Sequence, residues 1–246
     1  MVVQKVLPIK DTNTLHEIED CLRDNFKFGL RNYTIFKLGL VTMLRVSDLL
    51  ALRRSEIFKD DGTIKLNAYT VDQKTGKHNI LYLKPAIYDL SQYIKWLNDH
   101  YPDSEWLFPS SQHPENHISI KQYYKVIRRV SDLLEIDYLG THTMRKTGAY
   151  RVYVQSNYDI ALVMSLLNHS SQAMTLRYLG LDQVSREQKL DKIHYPKKYC
   201  QKIQFKHITK LALFQVCEIS ICPKIAIRKG VRVKNMLILT MSVLLY

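Results

Sequence analysis

Thr141-His142-Thr143-Met144-Arg145 opens a close succession of helical segments that runs through Leu166-Leu167-Asn168-His169-Ser170-Ser171 to Leu176-Arg177-Tyr178-Leu179-Gly180. The pattern predicts helices from His142 to Gln155 and from Asp159 to Leu167, then a short one behind the candidate cap Ser171. An i, i+3 spacing makes His142 and Arg145 neighbours on one helical face, setting a proton-transfer group beside a bidentate oxyanion clamp. His169 stands at a helix end, and Tyr178 closes the succession. Each piece alone has an ordinary explanation. A His and an Arg three apart are commonplace on a helix surface. Among 16 tyrosines, any one is more often a core residue with a hydrogen-bonded tip than a reactive group.

Working back toward the N-terminus, the pattern stays helical. Leu15, Ile18, Cys21 and Leu22 recur at helical spacing behind the candidate caps Thr12 and Asn13, and the run from Tyr33 to Leu44 is apolar enough for a buried helix. A shorter helix from Ser47 to Leu52 follows, so Arg45 sits at its entrance with Asp48 placed to reach back toward it. A charge flanked by Met43, Leu44 and Val46 is unusual there. The period then changes. Ile64 to Val71 and His78 to Leu83 read as two short strands joined by Lys74-Thr75-Gly76-Lys77, where Gly76 can take a positive φ.

Helices resume after this hairpin. Pro85 suits a first turn, and Ile87, Leu90, Ile94 and Leu97 form one stripe. A loop from Pro109 to His117 leads to a helix from about Ser119 to Ile136 that carries Lys121, Lys125, Arg128 and Arg129 along a basic side. That side is either a solvated face or one that meets phosphates. His113 and His117 flank Pro114 and Glu115 with no further metal ligand in view. The fold class that emerges is mainly α with a small antiparallel β-sheet.

Composition narrows the partners. The 246 residues carry 36 Lys+Arg against 23 Asp+Glu, a formal charge of +13, which favours polyanions because neutralised phosphates release condensed counterions. With 46% apolar residues the chain can fill a core, which excludes disorder for most of it. Four cysteines without a C-x-x-C pair point to reduced thiols, and the N-terminus lacks the apolar segment of a secretory signal, so a cytoplasmic protein is expected, nucleoid-associated in a prokaryote. The longest nearly uncharged apolar run, Met236 to Tyr246, is about half the roughly 20 residues of a membrane span, so no membrane partner is expected. Residues 200–246 concentrate the charge, with eight Lys+Arg and the single acid Glu218.

Taken in order, Arg45 in Leu-Arg-Val-Ser-Asp-Leu, Lys74 in Gln-Lys-Thr-Gly-Lys, His142 and Arg145 in His-Thr-Met-Arg, His169 in Leu-Asn-His-Ser-Ser and Tyr178 in Leu-Arg-Tyr-Leu-Gly closely resemble the catalytic domain of the tyrosine recombinases, or phage-type integrases. The resemblance runs from about residue 7 to 185. It implies a domain over 1–199 and leaves 200–246 as a basic extension, either a DNA-contacting arm or a passive tail. A helix from about Gln183 to Lys192 would then dock on a neighbouring protomer. Larger members carry a further helical domain ahead of the catalytic one that closes a clamp on the duplex, and the roughly 40 residues before Arg45 are expected to belong to the catalytic domain instead. Small members include invertases, so integration, excision and inversion all stay open.

The implied chemistry matches these residue types. Arg45 and Arg145 would clamp the phosphate as charge grows on its nonbridging oxygens, Tyr178 would be the nucleophile, and His142 its base. Lys74 would be the general acid for the 5′-oxygen, with Lys77 a substitute or DNA contact, and His169 would hydrogen-bond the phosphate. A 3′-phosphotyrosine stores the bond energy, so no cofactor, metal or nucleotide is expected, in keeping with the lack of a P-loop or a two-metal acid cluster in the sequence. The implied partners are double-stranded DNA and three further copies in a tetramer on paired sites, with a monomer or weak dimer when free and accessory DNA-bending proteins as further candidates. Two other readings stand beside this one: a catalytically silent DNA-binding regulator, and strand relaxation of the type IB topoisomerase kind.

Overall fold

A computed structural model describes residues 6–181 together with 190, 191 and 193, all within the unit Met1–Ile193. The expected helix from about Gln183 to Lys192 falls almost wholly outside the described residues, and the extension 200–246 wholly so. Among the described residues the chain forms α1 (Thr12–Asp24), α2 (Gly29–Thr42), α3 (Val46–Leu50), α4 (Arg54–Ile57), β1 (Asn67–Val71), β2 (His78–Tyr82), α5 (Ile87–His100), α6 (Ile120–Leu133), α7 (Thr143–Gln155), α8 (Ile160–Leu167) and α9 (Gln172–Tyr178). The mainly α fold with one antiparallel hairpin is as expected. None of these helices is long and apolar enough to cross a membrane.

Several boundaries differ for local reasons. Helix α1 is capped by Asp11, whose carboxylate accepts the Thr14 N–H at 2.7 Å, so Thr12 and Asn13 are already helical. Helix α2 begins at Gly29 and ends where Met43 turns left-handed, with φ of 52° and its N–H on the Gly39 carbonyl. Helix α3 is Val46–Leu50, with Arg45 in extended conformation at its cap position. A Ser119–Gln122 capping box starts α6, which stops at Leu133, just ahead of Glu135 with φ of 55°. In the hairpin Ala68 pairs with Leu81 on the buried face, while Ile64 pairs with Phe58 instead of extending β1. The buried stripe of α5 runs through Leu90, Tyr93 and Leu97, with Ile87 exposed.

Helix α2 is buried on nearly all sides because it is packed by α1, α5 and α7. The main apolar core includes Ile18, Leu22, Phe36, Leu38, Leu49, Tyr93, Phe108 and Tyr123. A second, smaller cluster of Met43, Ala149, Val163, Leu167 and Leu179 lies among α7, α8 and α9, with Tyr178 packed against its edge. The seam between them depends on Gly148. A Cβ added there would lie 2.0 Å from the Leu40 carbonyl oxygen, so only glycine lets α7 come this close to α2.

Gly148→Ala should therefore cost about 1–3 kcal/mol of stability by forcing the two backbones apart. Removing the α1 cap with Asp11→Ala should cost about 1 kcal/mol. Urea unfolding checks both, and an unchanged midpoint for Gly148→Ala would contradict the close α2–α7 approach.

Candidate active site

The seam between the two clusters holds Arg145. It is 7% exposed, and its guanidinium donates from Nη1 to the Met43 carbonyl and from Nη2 to the Leu167 carbonyl at 3.2 Å. Both acceptors lie at helix C-termini, where carbonyls lack intrahelical partners and the helix dipole is negative. Burial lowers its pKa, but a guanidinium remains a cation in any protein setting.

Arg45 approaches from the start of α3 with its side chain 24% exposed. It pairs with Asp72, at the base of the hairpin turn, and not with Asp48 as its spacing suggests. Asp48 is itself buried and spends its Oδ1 on the Gln73 N–H at 3.2 Å. The hairpin turn thus brings the acid that meets Arg45. Lys74 and Lys77 are both exposed on this turn, where Gly76 has φ of 66°. No hydrogen bond or ion pair joins Lys74 to the other candidate groups among the described residues.

Three more side chains converge here. His142 occupies the cap position of α7 and is exposed as a residue. Its ring nonetheless loses hydration and faces the fields of Arg145, Lys146 and Arg45, which hold its pKa below the ordinary value. His169 follows the left-handed Asn168, and burial together with Arg145 and Arg45 lowers its pKa likewise. Thr175 donates its hydroxyl proton to the Ser171 carbonyl at 3.2 Å and lies 3.0 Å from His169 Nδ1, so it accepts from Nδ1–H. That leaves Nε2 an acceptor in the neutral ring and a donor in the cation.

Tyr178 ends α9 with its ring edge-on to His169, centroids 5.3 Å apart, and with the Lys146 ammonium 5.1 Å from its ring centre. Its buried hydroxyl makes no hydrogen bond of normal geometry among the described residues. Burial raises its pKa, and the neighbouring Arg145, then Arg45, oppose that rise. Arg45 acts electrostatically on all four of His142, Arg145, His169 and Tyr178, so the structure gathers five of the six sequence-predicted residues around one point.

The remaining candidates lie elsewhere. On α6 the buried Tyr123, Ile127 and Val130 fall opposite Lys121, Lys125, Arg128 and Arg129, so the basic side is real. Arg128 pairs with Asp132 at 3.6 Å. Lys121 and Lys125 line a shallow groove with His113 and His117. His113 meets Glu115 at 3.3 Å, and His117 turns its Nδ1 to the Ile118 carbonyl. Among the described residues no group of three or more His, Cys, Asp or Glu gathers as metal ligands would. Sequence reasoning missed Asp72, Thr175 and the pair Asn79–Asn168, whose amides meet at 2.6 Å and tie β2 to the end of α8. Only Asp72 left a signal, an Asp ahead of a turn with glycine four residues later.

Helices that gather two arginines, two histidines and a terminal-turn tyrosine beside a small hairpin define a tyrosine recombinase catalytic domain. Residues 10–184 match the Phage integrase family, and the chain belongs to that family. The probable integrase/recombinase YoeC of Bacillus subtilis is 32% identical over 179 residues, 72% of this chain and 91% of that protein. Tyrosine recombinase XerC of Caldanaerobacter subterraneus is 31% identical over 157 residues, 63% of this chain but 42% of XerC. Among solved structures, the XerH site-specific recombinase bound to palindromic difH substrate has a TM-score of 0.57 at 21% identity, covering 77% of this chain and 53% of XerH. The XerA recombinase gives 0.57 at 20% identity over 78% of this chain and 67% of that one, and these two likenesses speak to fold.

The electrostatics make a direct prediction. NMR titration should place the His142 and His169 midpoints below the ordinary value of about 6.5, since burial and neighbouring cations both disfavour the imidazolium. Arg45→Gln removes a cation that acts on both rings, so both midpoints should rise. Midpoints that stay put in the variant would mean the Arg45 field does not reach them.

Proposed function

We propose that this chain cuts and rejoins DNA at specific sites through a 3′-phosphotyrosyl intermediate without metal or nucleotide. The observation that carries the reading is the buried Tyr178 hydroxyl, set against the Arg145 guanidinium, with Arg45, His142 and His169 around it. In this reading the two arginines hold the nonbridging oxygens of one phosphodiester. The Tyr178 oxygen forms a bond to phosphorus as the bond to the 5′-oxygen breaks. The tyrosine proton passes to His142, and Lys74 supplies a proton to the departing oxygen. His169 donates a hydrogen bond to the phosphate. Rejoining reverses each transfer with a 5′-hydroxyl from the partner strand, so the ester's energy is conserved.

DNA binding is supported by the +13 charge and by the basic side of α6, with Lys77, Lys121, Lys125, Arg128 and Arg129 as the contacting residues. One active site cuts one strand and exchange of two duplexes takes four cuts, so the assembly proposed is a tetramer on paired sites, formed from monomers or weak dimers with accessory DNA-bending proteins as candidate helpers. The domain proposed over 1–199 would supply the chemistry.

A suicide substrate nicked beside its site tests the reaction. Wild type should become covalently attached through Tyr178, and Tyr178→Phe should lose the adduct while keeping nearly full DNA affinity, because no phosphate-directed charge is removed. Absence of any adduct would favour a silent DNA-binding protein. Relaxation of supercoils without exchange between two marked duplexes would favour topoisomerase-like action. Lys74→Ala should be rescued by a 5′-bridging sulfur, a leaving group that needs no proton.

The extension has its own test. If residues 200–246 form an arm along DNA, deleting them should lower the salt-dependence slope of log K by about 3 or more in magnitude, at roughly 0.9 per phosphate contact. An unchanged slope makes the extension a passive tail.

A further inference from the structure

Asp72 joins the two halves of the proposed reaction. It is 3% exposed, at the point where β1 gives way to the turn. Its Oδ1 accepts the backbone N–H groups of Lys74 at 3.0 Å and Thr75 at 2.9 Å, while its Oδ2 pairs with Arg45. Its own N–H donates to the Lys77 carbonyl at 2.9 Å, and its carbonyl accepts from Gly76 at 2.8 Å. One carboxylate thus folds the turn that presents Lys74 and holds the guanidinium proposed to clamp the phosphate. A buried carboxylate is costly unless its lone pairs are used, and these two N–H bonds and one ion pair use them.

We infer that Asp72 is a positioning residue that sets Lys74 and Arg45 in register, so that the proton donor and the phosphate clamp reach the same phosphodiester together. The inference rests on the phosphotyrosyl reading above. A guanidinium has five N–H donors in a rigid fork, so Arg45 can keep Asp72 on one edge and offer another to a phosphate oxygen. The turn needs the same help. Lys74 is exposed, and its backbone N–H is held by the Asp72 carboxylate at 3.0 Å. Asn79, paired with Asn168 at 2.6 Å, fixes the other strand of the hairpin to the element that carries His169.

The two duties separate chemically. Asp72→Asn keeps an oxygen that can accept the Lys74 and Thr75 N–H groups but removes the charge on Arg45. Asp72→Ala removes both. Single-turnover adduct formation by the full chain is measured on nicked duplexes with a 5′-bridging oxygen and with a 5′-bridging sulfur. Asp72→Ala should be slowed on the order of 10²-fold with oxygen and much less with sulfur, raising the sulfur-to-oxygen rate ratio at least tenfold, as loss of proton donation demands. Asp72→Asn should be slowed on the order of tenfold on both substrates with the ratio of wild type, because only the clamp is disturbed. A fold defect alone would slow both substrates alike in both variants.

A wild-type ratio in Asp72→Ala, or a wild-type rate in Asp72→Asn, overturns the inference. Should Asp72→Ala fail to fold, Asp72→Asn decides alone: equal slowing on the two substrates with a wild-type urea midpoint supports the inference, while unchanged rates, or slowing matched by a lowered midpoint, sink it. If wild type itself forms no adduct on either substrate, the phosphotyrosyl reading has failed first and takes the inference with it.

Discussion

The guanidinium of Arg145, held between the Met43 and Leu167 carbonyls, is the constraint on which the rest of the site depends. Burying a cation costs several kcal/mol, and among the described residues no ion pair joins this one to a carboxylate. Two helix C-termini supply what a carboxylate would, oxygen acceptors at negative dipole ends. The cost is offset only while α2 and α8 end at that spot. Met43 adopts a left-handed conformation to end α2 there, and Gly148 lets α7 carry Arg145 close enough to meet its carbonyl. The same arrangement means that truncating Arg145 would strand two carbonyls at the junction of the clusters. A loss of activity in such a variant therefore mixes chemistry with stability, and only a comparison of binding, folding and cleavage separates them.

The hairpin has a different status. Its outer face is open, with Tyr69 71% and Ile80 66% exposed, while Ala68 and Leu81 on the inner face join the main core. Polar ties add to this: Asp72 to Arg45, Gln73 to Asp48, Asn79 to Asn168. The exposed turn from Gln73 to Lys77, held by hydrogen bonds and one ion pair, can shift at less cost to the core than the helices gathered on Arg145. Rigid clamp and adjustable turn suit the proposed reaction, in which charge stabilisation is preorganised and Lys74 would follow the departing oxygen.

Much of this was legible in the sequence because helical periodicity and short motifs are local. The stripe of Leu15, Ile18 and Leu22, the Ser119 cap, and the order of Arg45, His142, Arg145, His169 and Tyr178 need no knowledge of distant residues. What escaped depends on pairs far apart in the chain. Spacing offered Asp48 to Arg45, three residues away, but the partner is Asp72, delivered by the hairpin. Asn79 and Asn168 are unremarkable until the fold sets them 2.6 Å apart. Helix ends were misjudged by a few residues where one side chain decides, as with the Asp11 cap, or where a non-glycine turns left-handed, as at Met43.

The depressed histidines acquire a purpose when charge is followed through the proposed reaction. In the free protein Arg45 and Arg145 disfavour the imidazolium of both His142 and His169, and they oppose the effect of burial on Tyr178. A bound phosphodiester brings one negative charge against those guanidiniums and cancels much of their field. Both histidines then become more basic. For His142 that makes a better acceptor for the tyrosine proton. For His169 it favours the ring with both nitrogens protonated, Nδ1 on Thr175 and Nε2 able to donate to a phosphate oxygen. Tyr178 meanwhile loses part of the arginines' pull and stays protonated until attack begins. In the proposed reaction such a site would hold Tyr178 protonated in the free protein and complete its base and hydrogen-bond donor around the substrate that supplies the missing charge.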